Sequence, residues 1–266
     1  MNIIVCIKQV PDPEGPMDSF VINPETNRVE PKGIPPVLSL FDENALEVAL
    51  RIKDRDKDNV KVTVLSIGKR ISNAVMIKAL AAGADTLLKV EDEVFDAVNI
   101  DSHVMASALA SAIKKSGDYD LIFTGRQAAD WNAGQVGIGI AAILGIPAIT
   151  LAKNVEVEGR EVFVERVLSS GYEKVKASLP VVMMASNEVG ELRYPTVIQR
   201  RDAKNKPITA WSVSDIDLNK DFESKVFLKK LYKPKMREGK CELIQGASLA
   251  DAGKALAQKL KEDHII

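Results

Sequence analysis

Over positions 1–150, short β-branched apolar runs alternate with longer segments whose apolar residues recur every three or four positions. The first run, Asn2 to Lys8, is closed by Pro11, Pro13 and Pro16 and predicts a buried strand. Val21 to Val29, interrupted by Asn23-Pro24 and Thr26-Asn27, predicts a β-hairpin with few buried positions. A helix starts at Ser39 or Asp42, either of which can cap free N–H groups, and runs to Lys53 with Leu46, Ala49 and Leu50 on one face. Further strands are expected at Val60 to Ile67, Thr86 to Val90 and Asp120 to Thr124. Between them lie two helices, one capped by Ser72 and stopped by Gly83, the other opened by Asp101 and stopped by Gly117. A last helix, Ala133 to Leu144, closes at Gly145 before Pro147. Such alternation predicts an α/β fold with a parallel sheet and right-handed crossovers. Ligands of these sheets bind beyond the carboxyl ends of the strands. The loops after Lys8, Ile67 and Thr124, and the approach to the Ser39 helix, are therefore the places to look.

After Thr150 the rhythm changes. Val155 to Val157, Glu161 to Leu168, Tyr172 to Ser178 and Val181 to Ala185 read as strands joined by Glu158-Gly159 and Ser169-Ser170-Gly171 turns, expected as antiparallel additions to the sheet. Asn187 to Pro207 is polar and basic, and Ser212 to Pro234 reads as an extended linker. A short helix over Ser248 to Lys261, with Ala252, Ala255, Leu256 and Leu260 on one face, can dock on this domain or on another subunit.

Composition narrows the function. The 36 basic and 37 acidic side chains nearly cancel, which argues against a nucleic-acid binder or an anionic-membrane binder. Two histidines, His103 and His264, and two distant cysteines, Cys6 and Cys241, exclude a multi-histidine metal site, so no metal is expected. The apolar opening is too short and wrongly ordered for a signal peptide, and there is no 18-residue apolar span for membrane insertion. A reducing, cytoplasmic setting follows. Any chemistry is expected to belong to a bound cofactor or a partner.

The most informative segment is Gly125-Arg126-Gln127-Ala128-Ala129-Asp130-Trp131-Asn132-Ala133-Gly134-Gln135-Val136-Gly137, which follows a strand and opens a helix. Free backbone N–H groups and the helix dipole favour a phosphate there, and Ala133, Gly134 and Gly137 leave room for close approach. Asp130 or Asn132 can instead cap the helix, and the loop matches neither GxGxxG nor GxxxxGK[ST]. Lys8 and Arg126 are candidate phosphate partners, Trp131 is a candidate for ring stacking or surface packing, and Cys6 reads as a small buried hydrophobe. Glu191 to Arg201 mixes Leu192, Tyr194, Val197 and Ile198 with arginines, an interface composition that also suits a loop folded back on the sheet.

The pieces IVCIKQVPD, LSLFDENALEVALRIKD, KALAAGAD, GRQAADWNAGQVG and ELRYPTV, in that order, resemble the beta (small) subunit of electron transfer flavoproteins. The resemblance implies a Rossmann-like, adenine nucleotide alpha hydrolase-like domain over residues 1–207. Residues 208–266 would then form a C-terminal arm embracing an FAD-carrying alpha subunit in a heterodimer. It places the nucleotide at Cys6, at Ser39, Leu40, Phe41 and Asp42, at Ile67 and Gly68, and at Arg126, with Asp130, Asn132, Ala133, Gly134, Gln135, Val136 and Gly137. In ordinary members this site holds AMP structurally. In electron-bifurcating members, which KQVPD and GRQAAD resemble more, it holds FAD that accepts hydride from NADH, with a flavin-containing dehydrogenase and ferredoxin or flavodoxin as partners. Arg193, Tyr194, Val197 and Ile198 correspond to the family's dehydrogenase-recognition loop. The sequence departs from the commoner pattern at Trp131 and at Gly68-Lys69-Arg70. The chain so read is an electron-carrying subunit, catalytic only within a complex.

Overall fold

A computed structural model describes residues 1–96, 100–218, 223–233, 239 and 241–266. The chain divides into two compact units, Met1–Leu231 and Tyr232–Ile266. The first is built on a nine-stranded sheet whose inner strands are β1 (Asn2–Cys6), β6 (Lys61–Gly68), β7 (Thr86–Glu91), β8 (Leu121–Gly125) and β12 (Val181–Ala185). From one edge to the other the strand order is β11 (Gly171–Ser178), β10 (Glu161–Leu168), β9 (Ala148–Glu158), β12, β8, β1, β6, β7 and β13 (Ile208–Trp211). All neighbours from β9 to β13 pair in parallel, and only the β9–β10 and β10–β11 pairs are antiparallel.

The expected α/β alternation is present, and two strand expectations change. Val181–Ala185 was grouped with the antiparallel additions. It instead inserts between β8 and β9, parallel to both, because its five buried residues need cover on both faces. Ile208–Trp211, where no strand was expected, pairs with β7 and extends the sheet edge. Its four residues are only partly covered, so neither a buried run nor strong alternation marks it.

Side chains alternate across the sheet. Ile3, Val5 and Ile7 face one apolar cluster with α1 (Leu40–Arg55) and α2 (Asn73–Ala82), and Ile4 and Cys6 face another with α3 (Ser102–Ser116) and α4 (Val136–Leu144). Burying the larger of these side chains stabilises by roughly 1.5–3 kcal/mol each. Two caps follow the sequence: Ser72 Oγ accepts from the Val75 N–H and Asp101 from the Val104 N–H. At α1 the expected cap by Ser39 or Asp42 is not made, since Ser39 precedes the helix without a capping bond and both side chains accept from other segments. The hairpin expected over Val21 to Val29 is β3 (Phe20–Asn23) paired with β4 (Arg28–Pro31), and β2 (Gln9–Pro11) pairs with β5 (Pro36–Leu38) just before α1. In the second unit α6 (Leu249–Glu262) is capped by Ser248, which accepts from the Asp251 N–H at 3.2 Å.

The sheet reverses its winding at β1: β6 lies on one side and β8 on the other. A crevice opens at such a reversal, beyond the carboxyl ends of β1 and β8. Three of the loops singled out from sequence converge there.

Candidate nucleotide site at the strand ends

Asp42, in the first turn of α1, ties the crevice together. Its buried carboxylate accepts the Lys8 N–H at 2.8 Å and the Gly125 N–H at 3.1 Å, joining the ends of β1 and β8. Burial outweighs these bonds and pushes the carboxyl up to about 7. Ser39, fully buried before α1, accepts the Ala129 N–H at 3.3 Å and so fixes the following loop. Gly125 has to be glycine: a Cβ there would stand 2.6 Å from Asp42 Oδ1 and 2.6 Å from the Phe41 carbonyl carbon. Cys6 ends β1 and Ile67 sits within β6, both buried. Burial, reinforced by the Asp42 charge, drives the Cys6 thiol far above its usual range. It is a packing group, as its composition suggested.

Between β8 and α4 the chain folds upon itself. Lys8 Nζ grips both carboxylate oxygens of Asp130, at 2.9 and 2.8 Å. Gln127 donates to Asn132 Oδ1 at 2.9 Å, and the Asn132 N–H returns to the Ala128 carbonyl. Asn132 and Gly134 take left-handed backbone, φ 53° and 66°. This changes the expected helix start. The helix does not open at Ala133 under an Asp130 or Asn132 cap. It begins at Val136, because left-handed residues cannot continue a helix and Asp130 is committed to Lys8. Gln135 supplies no capping hydrogen bond, so the first-turn N–H groups of α4 receive no side-chain cap. Gly137 also has a packing role: a Cβ would meet Thr124 Oγ1 at 2.6 Å and Met184 Cγ at 2.8 Å, so its bareness seats α4 on β8 and β12. Trp131 is half-exposed on this loop.

Arg126 completes the mouth. Its guanidinium lies 4.7 Å from the centre of the Phe41 ring, and Nη1 donates to Asn187 Oδ1 at 3.1 Å. Its Nε is buried with no hydrogen-bond partner among the described residues. An unmet buried donor on a cation and an uncapped helix start, both on the segment between β8 and α4, fit an anionic group such as a nucleotide phosphate. Lys8, a candidate phosphate partner from sequence, is instead engaged within the loop. Leu40 is half-exposed and Gly68 ends β6.

Residues 27–216 match the Electron transfer flavoprotein domain family. The whole chain aligns at 35% identity with all of the electron transfer flavoprotein subunit beta of Clostridium acetobutylicum. The chain belongs to the electron transfer flavoprotein family, as a beta subunit. It is also 34% identical, over the full length of both chains, to the caffeyl-CoA reductase-Etf complex subunit CarD of Acetobacterium woodii. Protein FixA of Azorhizobium caulinodans is 31% identical, covering 98% of this chain and 94% of its own.

The second candidate segment of this beta subunit is also built from specific contacts. Leu192 is buried, and Arg193 reaches back to α1, where Nε and Nη2 bond the two Glu47 oxygens at 3.0 Å each and Nη1 meets Asp54 at 2.6 Å. Beyond this anchor Tyr194, Val197 and Ile198 stand exposed, Tyr194 at 88%. Val197–Asp202 forms a short helix, α5, opened by a reciprocal Thr196–Gln199 capping box that was not expected from the sequence. Sequence reasoning also missed Asn187 as the Arg126 partner and Glu47 as the Arg193 partner. No local signal joins residues 61 or 146 positions apart. Among the described residues no helix is long and apolar enough to cross a membrane.

Proposed function

We propose that this beta subunit pairs with an electron transfer flavoprotein alpha subunit and carries FAD at the ends of β1 and β8. In this reading the FAD receives electrons from NADH and divides them, in a bifurcating complex, between a flavin-containing dehydrogenase and ferredoxin or flavodoxin. The observation that carries the reading is the full-length likeness to CarD, whose name places it in a caffeyl-CoA reductase-Etf complex. The unmet Arg126 donor and uncapped α4 start, which suit a phosphate-bearing ligand, support it.

A flavin would supply the electron chemistry, and the protein would supply binding, orientation and electrostatics. Arg126 Nε and the Val136 and Gly137 N–H groups would hold phosphate oxygens, while Asp42 and Ser39 keep the loops in register around them. Burial of Cys6 and Ile67 would keep water from that side of the ligand. Tyr194, Val197 and Ile198 would be the apolar anchors for the dehydrogenase, displayed by the Arg193 anchor. The arm after residue 207, including α6, would dock on the alpha subunit.

Heat release of the nucleotides from purified heterodimer, followed by absorbance and chromatography, tests the reading. About two flavins per dimer are expected from this cofactor assignment. One flavin with AMP would show that the beta site is structural and that the redox chemistry lies wholly in the alpha subunit.

A further inference from the structure

β12 ends at Ala185, which pairs with Gly125 at the end of β8, so the two strands release their following residues side by side. Arg126 is the first residue beyond β8 and Asn187 the second beyond β12. Asn187 Oδ1 accepts from Arg126 Nη1 at 3.1 Å, and the Phe41 ring centre lies 4.7 Å from the same guanidinium. Two contacts, from α1 and from the turn after β12, therefore set where the cation sits.

The Asn187–Val189 turn is held without the Asn187 side chain. From α1, Arg51 Nη2 donates to the Val189 carbonyl at 3.0 Å and Asn44 Nδ2 to the Gly190 carbonyl at 2.6 Å. Tyr172 on β11 donates to Glu188 at 2.8 Å, Ser186 Oγ accepts from the Glu188 N–H at 3.2 Å, and Val189 is buried. Asn187 itself is exposed, and among the described residues its side chain bonds to Arg126. Its amide is thus spare for the turn and directed at the cation.

The chemical type of this partner matters. A carboxylate in its place would bind the guanidinium more strongly but would cancel its charge. A neutral amide fixes the direction of the group and leaves the positive charge whole. It also uses one of five N–H donors, so the fork keeps capacity for an anion.

We propose that Asn187 is a positioning residue of the nucleotide site. It holds the Arg126 guanidinium beside Phe41 without neutralising it, so that the charge is presented to a nucleotide phosphate. The inference rests on the phosphate role given to Arg126 above, and it holds for FAD and AMP alike.

The test uses full-length protein purified with its subunit partner and freed of the beta-site nucleotide. AMP binding is followed by calorimetry and FAD binding by flavin fluorescence, each at low and high salt. Asn187→Ala is expected to weaken both nucleotides about three- to tenfold, the size of one lost hydrogen bond. Asn187→Asp keeps the shape and the bond to Arg126, so its thermal midpoint is expected to be no lower than that of the wild type. Its affinity is nevertheless expected to fall about tenfold or more at low salt, the scale of a unit charge set beside a phosphate, and to recover partly at high salt. A merely structural role would leave the Asn187→Asp affinity unchanged. In an Arg126→Ala background, adding Asn187→Ala is expected to cost no more than about twofold, because the two residues act as one unit. Wild-type affinity in Asn187→Asp at low salt, or an equal loss from Asn187→Ala with and without Arg126, would overturn the positioning role. Wild-type affinity in Arg126→Ala would instead overturn the phosphate reading beneath it.

Discussion

Arg193→Ala removes the clamp that fastens the Leu192 segment to α1. Glu47 is buried and accepts four hydrogen bonds: from Arg193 Nε and Nη2, from the Arg193 N–H at 3.1 Å, and from Arg51 Nε at 3.1 Å. Burial alone would push its carboxyl up, yet the Arg193 and Arg51 bonds together hold it below the ordinary glutamate value. Breaking a fully buried pair costs about 3–5 kcal/mol because a charge is left uncompensated. Here Arg51 and the backbone N–H remain and the Arg193 side chain is 31% exposed, so we expect about 2 kcal/mol. That is roughly a 4–8 °C fall in melting temperature for a chain of this size. A group held below its unfolded pKa contributes stability that is present above the unfolded value and is lost as pH falls through the folded one. The difference between wild type and variant is therefore full at neutral pH and shrinks as acid protonates Glu47. Urea unfolding followed by circular dichroism at neutral and acid pH measures both quantities. Arg193→Lys, which keeps the charge and loses the two-pronged geometry, is expected to fall between the two. A change below about 0.5 kcal/mol at neutral pH, the scatter of an ordinary surface substitution, would refute the clamp.

Gly137→Ala gains helix propensity but drives a Cβ into Thr124 and Met184, for a net loss of about 1–2 kcal/mol in chemical denaturation; an unchanged or raised midpoint would mean that α4 can shift at no cost. Asp42, ordinarily near 3.8 and held up to about 7, should cost the wild type on the order of 3–4 kcal/mol as pH rises from about 4 to 7. Asp42→Asn is expected to lack that slope in stability–pH profiles, and identical slopes would contradict the assignment. Arg126→Ala should lower the beta-site flavin affinity and shift its potential in a spectroelectrochemical titration, and no change in either would remove Arg126 from the site. Val197→Asp is expected to weaken capture of the dehydrogenase while flavin absorbance per dimer stays constant; loss of both together would make the loop structural.

Much of the fold was legible because its signals are local. Ser72 and Asp101 cap their helices as read, Gly83, Gly117 and Gly145 end theirs, and the β-branched runs fall in the sheet. Such features depend on neighbours within a turn of helix or across a pleat. The start of α4 was misjudged because Ala133 to Leu144 has helical composition throughout, and only the Lys8–Asp130 pair and the left-handed Asn132 and Gly134 delay it. The place of β12 was beyond periodicity altogether, since a short buried run reads alike whether its neighbours are parallel or antiparallel.

By itself the sequence determined the alternation of strands and helices, the strand-end loops where a ligand would sit, and the likeness to the electron transfer flavoprotein beta subunit. All of these are carried by residue order and local spacing. Only the tertiary structure decided what individual side chains do. It turned Lys8 onto Asp130, set Arg193 on Glu47, made Asp42 the tie between β1 and β8, and left Arg126 Nε and His103 Nε2 buried without hydrogen-bond partners among the described residues. The reason is physical: a charged or polar group finds its role through partners brought near by packing, and those partners lie tens to more than a hundred residues away along the chain.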